Sequence, residues 1–147
     1  MVDIEELKSK YLNLEFARLD FVVDAEKSAI VARVSGETRP EFIDPAHPEF
    51  EVFPAYIASL SSGRHLPINF PSLGGIPVDG GKAVTSIKPV PAGVSLDGRT
   101  HLHDIYDKSG RSGRMIFLVS RMKIYDAAEN LLALADSRMV IRERSDA

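Results

Sequence analysis

Between Gly36 and Phe50 the chain gathers groups that can move protons or hold an anion: Glu37, Arg39, Asp44 and His47. Carboxylate and imidazole groups in one loop are the raw material of general acid–base catalysis, provided their surroundings shift them towards neutral pH. Arg39 adds a planar fork of donors that can pair with Glu37 or Asp44, or meet an anionic ligand group. Three prolines (Pro40, Pro45 and Pro48) fix the backbone of the same stretch. Such a segment is expected to be a shaped loop that displays its polar groups, not a helix interior.

Other candidates are more dispersed. His65 lies in a long connection and is expected at the surface. His101 and His103 flank Leu102 on a strand and so face one way. Two histidines at that spacing can hold a metal, but no third ligand accompanies them and no metal is expected. Arg111, Arg114, Arg121, Arg138 and Arg142 make the C-terminal half basic. Gly74-Gly75 and the run Ser62-Gly-Arg-His have no phosphate-loop spacing.

Composition excludes several classes. The 147 residues fit one domain spanning 1–147. With 44% hydrophobic and 27% charged residues the chain is too apolar for disorder. A net charge of −3 gives no electrostatic footprint for nucleic acid. The absence of cysteine removes disulfides and thiolate chemistry. The start lacks the basic-then-apolar pattern of a signal peptide, and no apolar run approaches a membrane span. A cytoplasmic protein is therefore expected.

The elements that must position these groups follow from local signals. Asp3 is an N-cap for a short helix over 3–12. Leu14–Phe21 alternates apolar and polar residues as a half-buried strand does. Asp24 caps a helix over Ala25–Ser35, with Ile30 and Val34 on one face and Gly36 as its stop. Pro54–Leu60 is a second helix, with small residues that suit burial against a sheet. A long connection over 61–81 precedes strands at Val84–Val90, Val94–Tyr106, Arg114–Tyr125 and Leu131–Arg144, with a bend at Gly98. The order is α+β, a curved antiparallel sheet wrapped around a central helix, whose edge strand needs pairing or cover.

Several stretches resemble the MaoC-like dehydratase family, in particular the N-terminal half of two-domain dehydratases. These are Lys88-Pro-Val-Pro-Ala-Gly93, Asp104-Ile-Tyr-Asp-Lys-Ser-Gly-Arg-Ser-Gly-Arg114, Met115-Ile-Phe-Leu-Val119 and Leu131-Leu-Ala-Leu-Ala-Asp-Ser-Arg-Met-Val-Ile-Arg142. The resemblance covers about Phe16 to Arg144 and implies a hot-dog fold with dimer-type assembly through a joined sheet. It also implies acyl-thioester ligands, coenzyme A esters above all, as substrate and with no separate cofactor.

The family's hydration motif, Gly-Asp-x-Asn-Pro-x-His-x-Asp, falls on Gly36-Glu-Thr-Arg-Pro-Glu-Phe-Ile-Asp44. Gly36, Pro40 and Asp44 match, but the catalytic aspartate becomes Glu37, the asparagine Arg39 and the catalytic histidine Phe42. Phenylalanine neither accepts nor donates a proton, so the pair that activates water in the family cannot work as written. A second family histidine corresponds to Asp79. The resemblance therefore implies the non-catalytic, acyl-CoA-binding subunit or half of an enoyl-thioester hydratase or dehydratase, self-paired or joined to a catalytic hot-dog subunit. Arg39, Tyr56 and Asp79 are then its candidate substrate contacts. Two alternatives stand beside it. One is a self-sufficient thioester enzyme using Glu37 with His47 or Asp79; the other is an acyl-thioester binding module without turnover.

Overall fold

The protein is described here from a computed structural model covering residues 2–143. Its elements are α1 (Ile4–Tyr11), β1 (Glu15–Val22), α2 (Ala25–Val34), α3 (Pro40–Ile43), α4 (Pro54–Ala58), β2 (Pro77–Ser86), β3 (Ser95–Gly110), β4 (Gly113–Tyr125) and β5 (Leu131–Arg142). The strands form one antiparallel sheet in the order β1-β3-β4-β5-β2, so β1 and β2 are its edges. The expected strand end at Arg144 lies outside the described residues. No described helix is long and apolar enough to cross a membrane.

Capping sets the N-terminal elements as the sequence predicts. Asp3 and Asp24 accept from the backbone N–H groups of Glu6 and Lys27, and Gly36 stops α2 with φ +84°. The face that Ile30 and Val34 share is not the one that packs. Ile30 and Val34 are exposed, Val34 at 84%, whereas Ser28, Ala29 and Ala32 are buried. An i, i+4 apolar pair marks a face without saying that it packs, and here close approach selects small residues. The Phe53 backbone N–H donates to Ser28 Oγ at 2.9 Å, a contact that a larger side chain would block.

Four further expectations are corrected. Pro40 occupies the first position of a one-turn helix, where its missing N–H costs nothing, so the proline-rich loop contains α3. The helix from Pro54 ends at Ala58 and buries only Ile57, leaving the sheet with a central helix of five residues. The strand predicted from Val84 begins at Pro77 and ends at Ser86. Its register jumps between Asp79 and Lys82 around Gly80 and Gly81, a bulge that hides the alternation. Gly81 has φ +106°, and a Cβ on Gly80 would lie 2.6 Å from Val140 Cγ2. Likewise the register of β3 with β4 runs without a shift through Gly98. The irregularity falls between Leu102 and Asp104, and Gly98 instead leaves room for Met122 and Phe21.

The inner face of the sheet carries two apolar clusters. Helix α1 covers one half through Leu7, against Leu102, Ile105, Ile116 and Leu118. Helix α4 covers the other through Ile57, together with Leu96, Met122, Ile124 and Ala133. Between them runs a polar band. Thr100 on β3 is diagonal to Ser120 on β4, Ser120 stands opposite Ser137 on β5, and Ser137 opposite Lys82 on β2. The connection from Ser61 crosses this band. Ser62 Oγ bonds to Thr100 Oγ1 at 2.8 Å, and Ser120 Oγ donates to the His65 carbonyl.

Candidate functional site

The loop after α2 is held by backbone bonds. Glu37 N–H donates to Ala32 O, Asp44 N–H to Pro40 O, and Glu51 N–H closes the loop on Glu41 O at 2.9 Å. Arg33 donates from Nη1 to Ile43 O at 3.0 Å and so ties α3 to α2. Within this frame Phe42 is 6% exposed, and its ring meets Phe53 edge-on at a centroid distance of 5.5 Å. The Arg39 guanidinium lies 4.6 Å above the same ring.

Glu37 and Arg39 are brought together. Arg39 donates from Nε to Glu37 Oε1 at 2.7 Å and from its backbone N–H to the same oxygen at 3.1 Å. These bonds hold the Glu37 carboxyl below the usual carboxylate range. A carboxylate stabilised in its ionised form is a weak base and carries no proton to give near neutral pH.

Asp44 and His47 form turns. Asp44 Oδ1 accepts from the Ala46 N–H at 2.9 Å, and His47 Nδ1 accepts from the Glu49 N–H at 3.1 Å. Neither has a bond to Glu37. Tyr56 packs against the cluster around Ile57.

One group in the loop escapes sequence reasoning. Burial, and then the neighbouring Glu41, push the Glu51 carboxyl up, against the opposing pull of Arg39. Only the closure of residue 51 onto residue 41 reveals the pair, and nothing in their spacing announces it.

A groove of about 360 Å³ lies elsewhere, along the β2 edge of the inner face. Pro77, Val78 and Met139 give it apolar walls, while Ser120, Ser137 and Lys82 bring the polar band into it. Asp79 borders the groove, and its Oδ1 accepts from the Gly81 N–H at 2.9 Å, bracing the bulge. His65 and Arg138 also border it, and no residue of the Glu37 loop does. Of the alternative pair Glu37 and Asp79, Asp79 borders this groove and Glu37 does not.

The outer face is charged and largely self-neutralised. Arg121 pairs with Asp136 at 2.8 Å, whereas Arg114, on the inner side in step with Ile116, pairs with Asp107 at 2.7 Å and Glu143 at 3.2 Å beside the Val2 carbonyl. Arg99 binds Asp97 and Glu129. His101 Nε2 and His103 Nδ1 are 3.3 Å apart. Burial, with Lys123, His103 and Arg121 beside it, pushes His101 down to about 4.

No family model matches the sequence, and no curated protein does. Solved structures do resemble it. The C-terminally truncated HadBC (3R-hydroxyacyl-ACP dehydratase) complex of Mycobacterium tuberculosis has a chain 19% identical, with TM-score 0.66 over 91% of this chain and 99% of that one. A MaoC-like dehydratase from Phytophthora capsici is 18% identical with TM-score 0.67, over 99% of this chain and 52% of the other. The ChsH1–ChsH2 complex of M. tuberculosis follows at 15% identity and TM-score 0.63, over 98% and 91%.

Proposed function

The chain has the α+β hot-dog fold of these dehydratase structures, and from that premise we propose that it is the acyl-holding, non-catalytic member of a hydratase or dehydratase assembly. In this reading it binds an acyl thioester of coenzyme A or of an acyl carrier. It pairs with a second hot-dog subunit, which supplies the hydrating dyad, or with its own copy, which brings no such dyad. The observation that carries it is the buried Phe42, an aromatic anchor packed on Phe53 where a proton-transfer group would be needed. The Glu37 carboxylate beside it is engaged by Arg39 and lacks an imidazole partner.

Two further features support the assembly. The edge strand β2 has free backbone groups, and exposed Val78 lies on it with Ile76 just before it. Two of the similar structures are complexes by description, HadBC and ChsH1–ChsH2.

The test is hydration of crotonyl-CoA and longer enoyl-CoA esters by the purified chain, alone and after mixing with hot-dog subunits that carry an intact aspartate–histidine pair. The reading expects no turnover alone, with acyl-CoA binding retained. Robust turnover by the chain alone, abolished by Glu37→Gln, would overturn it.

A further inference from the structure

The inner face of a sheet that packs against helices is ordinarily apolar, and a hydroxyl there needs a partner. This sheet places four polar residues in one transverse row, Thr100, Ser120, Ser137 and Lys82, one on each of four adjacent strands. The connection from Ser61 satisfies the first two, through Ser62 and the His65 carbonyl. The last two open into the groove and have only each other: Lys82 Nζ donates to Ser137 Oγ at 3.3 Å.

The donor count then decides what fits. Ser137 accepts from Lys82, so its own proton is free, and the ammonium keeps two further donors. Lys82 forms no ion pair among the described residues. Lys82 and Arg138 border the groove against one carboxylate, Asp79, whose Oδ1 is engaged by the Gly81 N–H. The walls are apolar and the polar end is donor-rich and cationic.

We propose that this groove binds an alkyl chain ending in a carboxylate, which the Lys82 ammonium and the Ser137 hydroxyl receive. The inference rests on the reading that the chain holds acyl groups; it assigns them to this groove and adds the chemistry of the chain's end. Such an end belongs either to a free fatty acid or to an ω-carboxyacyl thioester.

Calorimetric titration of the full chain with decanoate and with decanol tests the charge, and decanedioyl-CoA against decanoyl-CoA separates the two sources. Decanoate is expected to bind at least about tenfold more tightly than decanol, the scale of one charge-assisted hydrogen bond. Lys82→Met should abolish the preference, Lys82→Arg should keep it, and Ser137→Ala should weaken it. Lys82 is exposed, so these variants should fold. If decanedioyl-CoA also exceeds decanoyl-CoA, the thioester is the source; if only decanoate shows the preference, the free acid is. Equal binding of decanoate and decanol, or a preference that survives Lys82→Met, would overturn the inference while leaving the acyl-holding reading standing. Failure of all four ligands to bind would overturn both.

Discussion

Phe42→Ala is the sharpest probe of whether the loop after α2 now serves packing. The side chain is 6% exposed, its ring sits edge-on to Phe53 at 5.5 Å, and Arg39 covers its outer side. Truncating a buried phenylalanine to alanine costs about 3–5 kcal/mol when the cavity cannot collapse. Here α3 is a single turn near the surface and can partly close over the gap, so the low end, about 3 kcal/mol, is expected. For a chain of this length the unfolding entropy makes that roughly a 10 °C fall in Tm. Urea unfolding followed by far-UV circular dichroism measures it, with an unchanged m-value confirming that the transition itself is the same.

Phe42→His supplies the control. The imidazole restores the proton-transfer group of the family motif but puts ring nitrogens into a site lined by Phe53, at about 1–3 kcal/mol for an unsatisfied polar group. It should be destabilised and should not hydrate enoyl-CoA, because Glu37 stays paired with Arg39. A loss below about 1 kcal/mol for Phe42→Ala, or substantial hydratase activity in Phe42→His, would refute the argument that this position has passed from chemistry to packing.

Other perturbations have equally definite outcomes. His101 is held near 4 against an ordinary 6.5, so the folded state binds that proton less readily than the unfolded chain. Stability should therefore be full above about 6.5 and fall as pH drops from 6.5 towards 4, a slope that His101→Asn should flatten; an NMR titration midpoint near 6.5 would contradict it. Gly75→Ala would place a Cβ 2.1 Å from the Arg142 carbonyl oxygen, and backbone cannot rotate away as a side chain can. A loss of about 1–3 kcal/mol is expected by thermal unfolding, and a neutral result would refute that contact. Ser120→Ala leaves the His65 carbonyl without its donor, at about 1–3 kcal/mol. Tryptic cleavage after Arg64 should accelerate, and unchanged cleavage would show that the bond does not hold the loop.

What the sequence disclosed was what is decided locally. Gly36 and the caps at Asp3 and Asp24 depend on a few neighbouring residues, and all three appear where the sequence puts them. Strand existence in the second half was legible for the same reason, since the alternation along Leu96–Leu102 directly reflects burial. The errors arise where a choice depends on something distant. Periodicity selects Ile30 and Val34, but which face of α2 turns inward is set by the approach of Phe53. The first half of β2 was hidden because a glycine bulge interrupts its period. The polar band was invisible for a related reason. Its members span residues 82 to 137, and only the register of four strands aligns them.

In the proposed reading the loop after α2 has the shape of a hydrating site without its chemistry, and the same distinction explains how the two can separate. The bonds that shape residues 36–51 run mainly to backbone acceptors: Ala32 O, Pro40 O, Glu41 O and, from Arg33, Ile43 O. None depends on the side chain at position 42. Gly36 supplies its positive φ and Pro40 its fixed φ whatever follows them. An imidazole can therefore give way to a phenyl ring without unfolding the loop, and the ring gains Phe53 as a packing partner. Once Arg39 has engaged Glu37, returning histidine to position 42 restores only one member of a pair. Recovery of hydration should require the triple change Glu37→Asp, Arg39→Asn and Phe42→His, and activity from Phe42→His alone would show that Arg39 does not block the site.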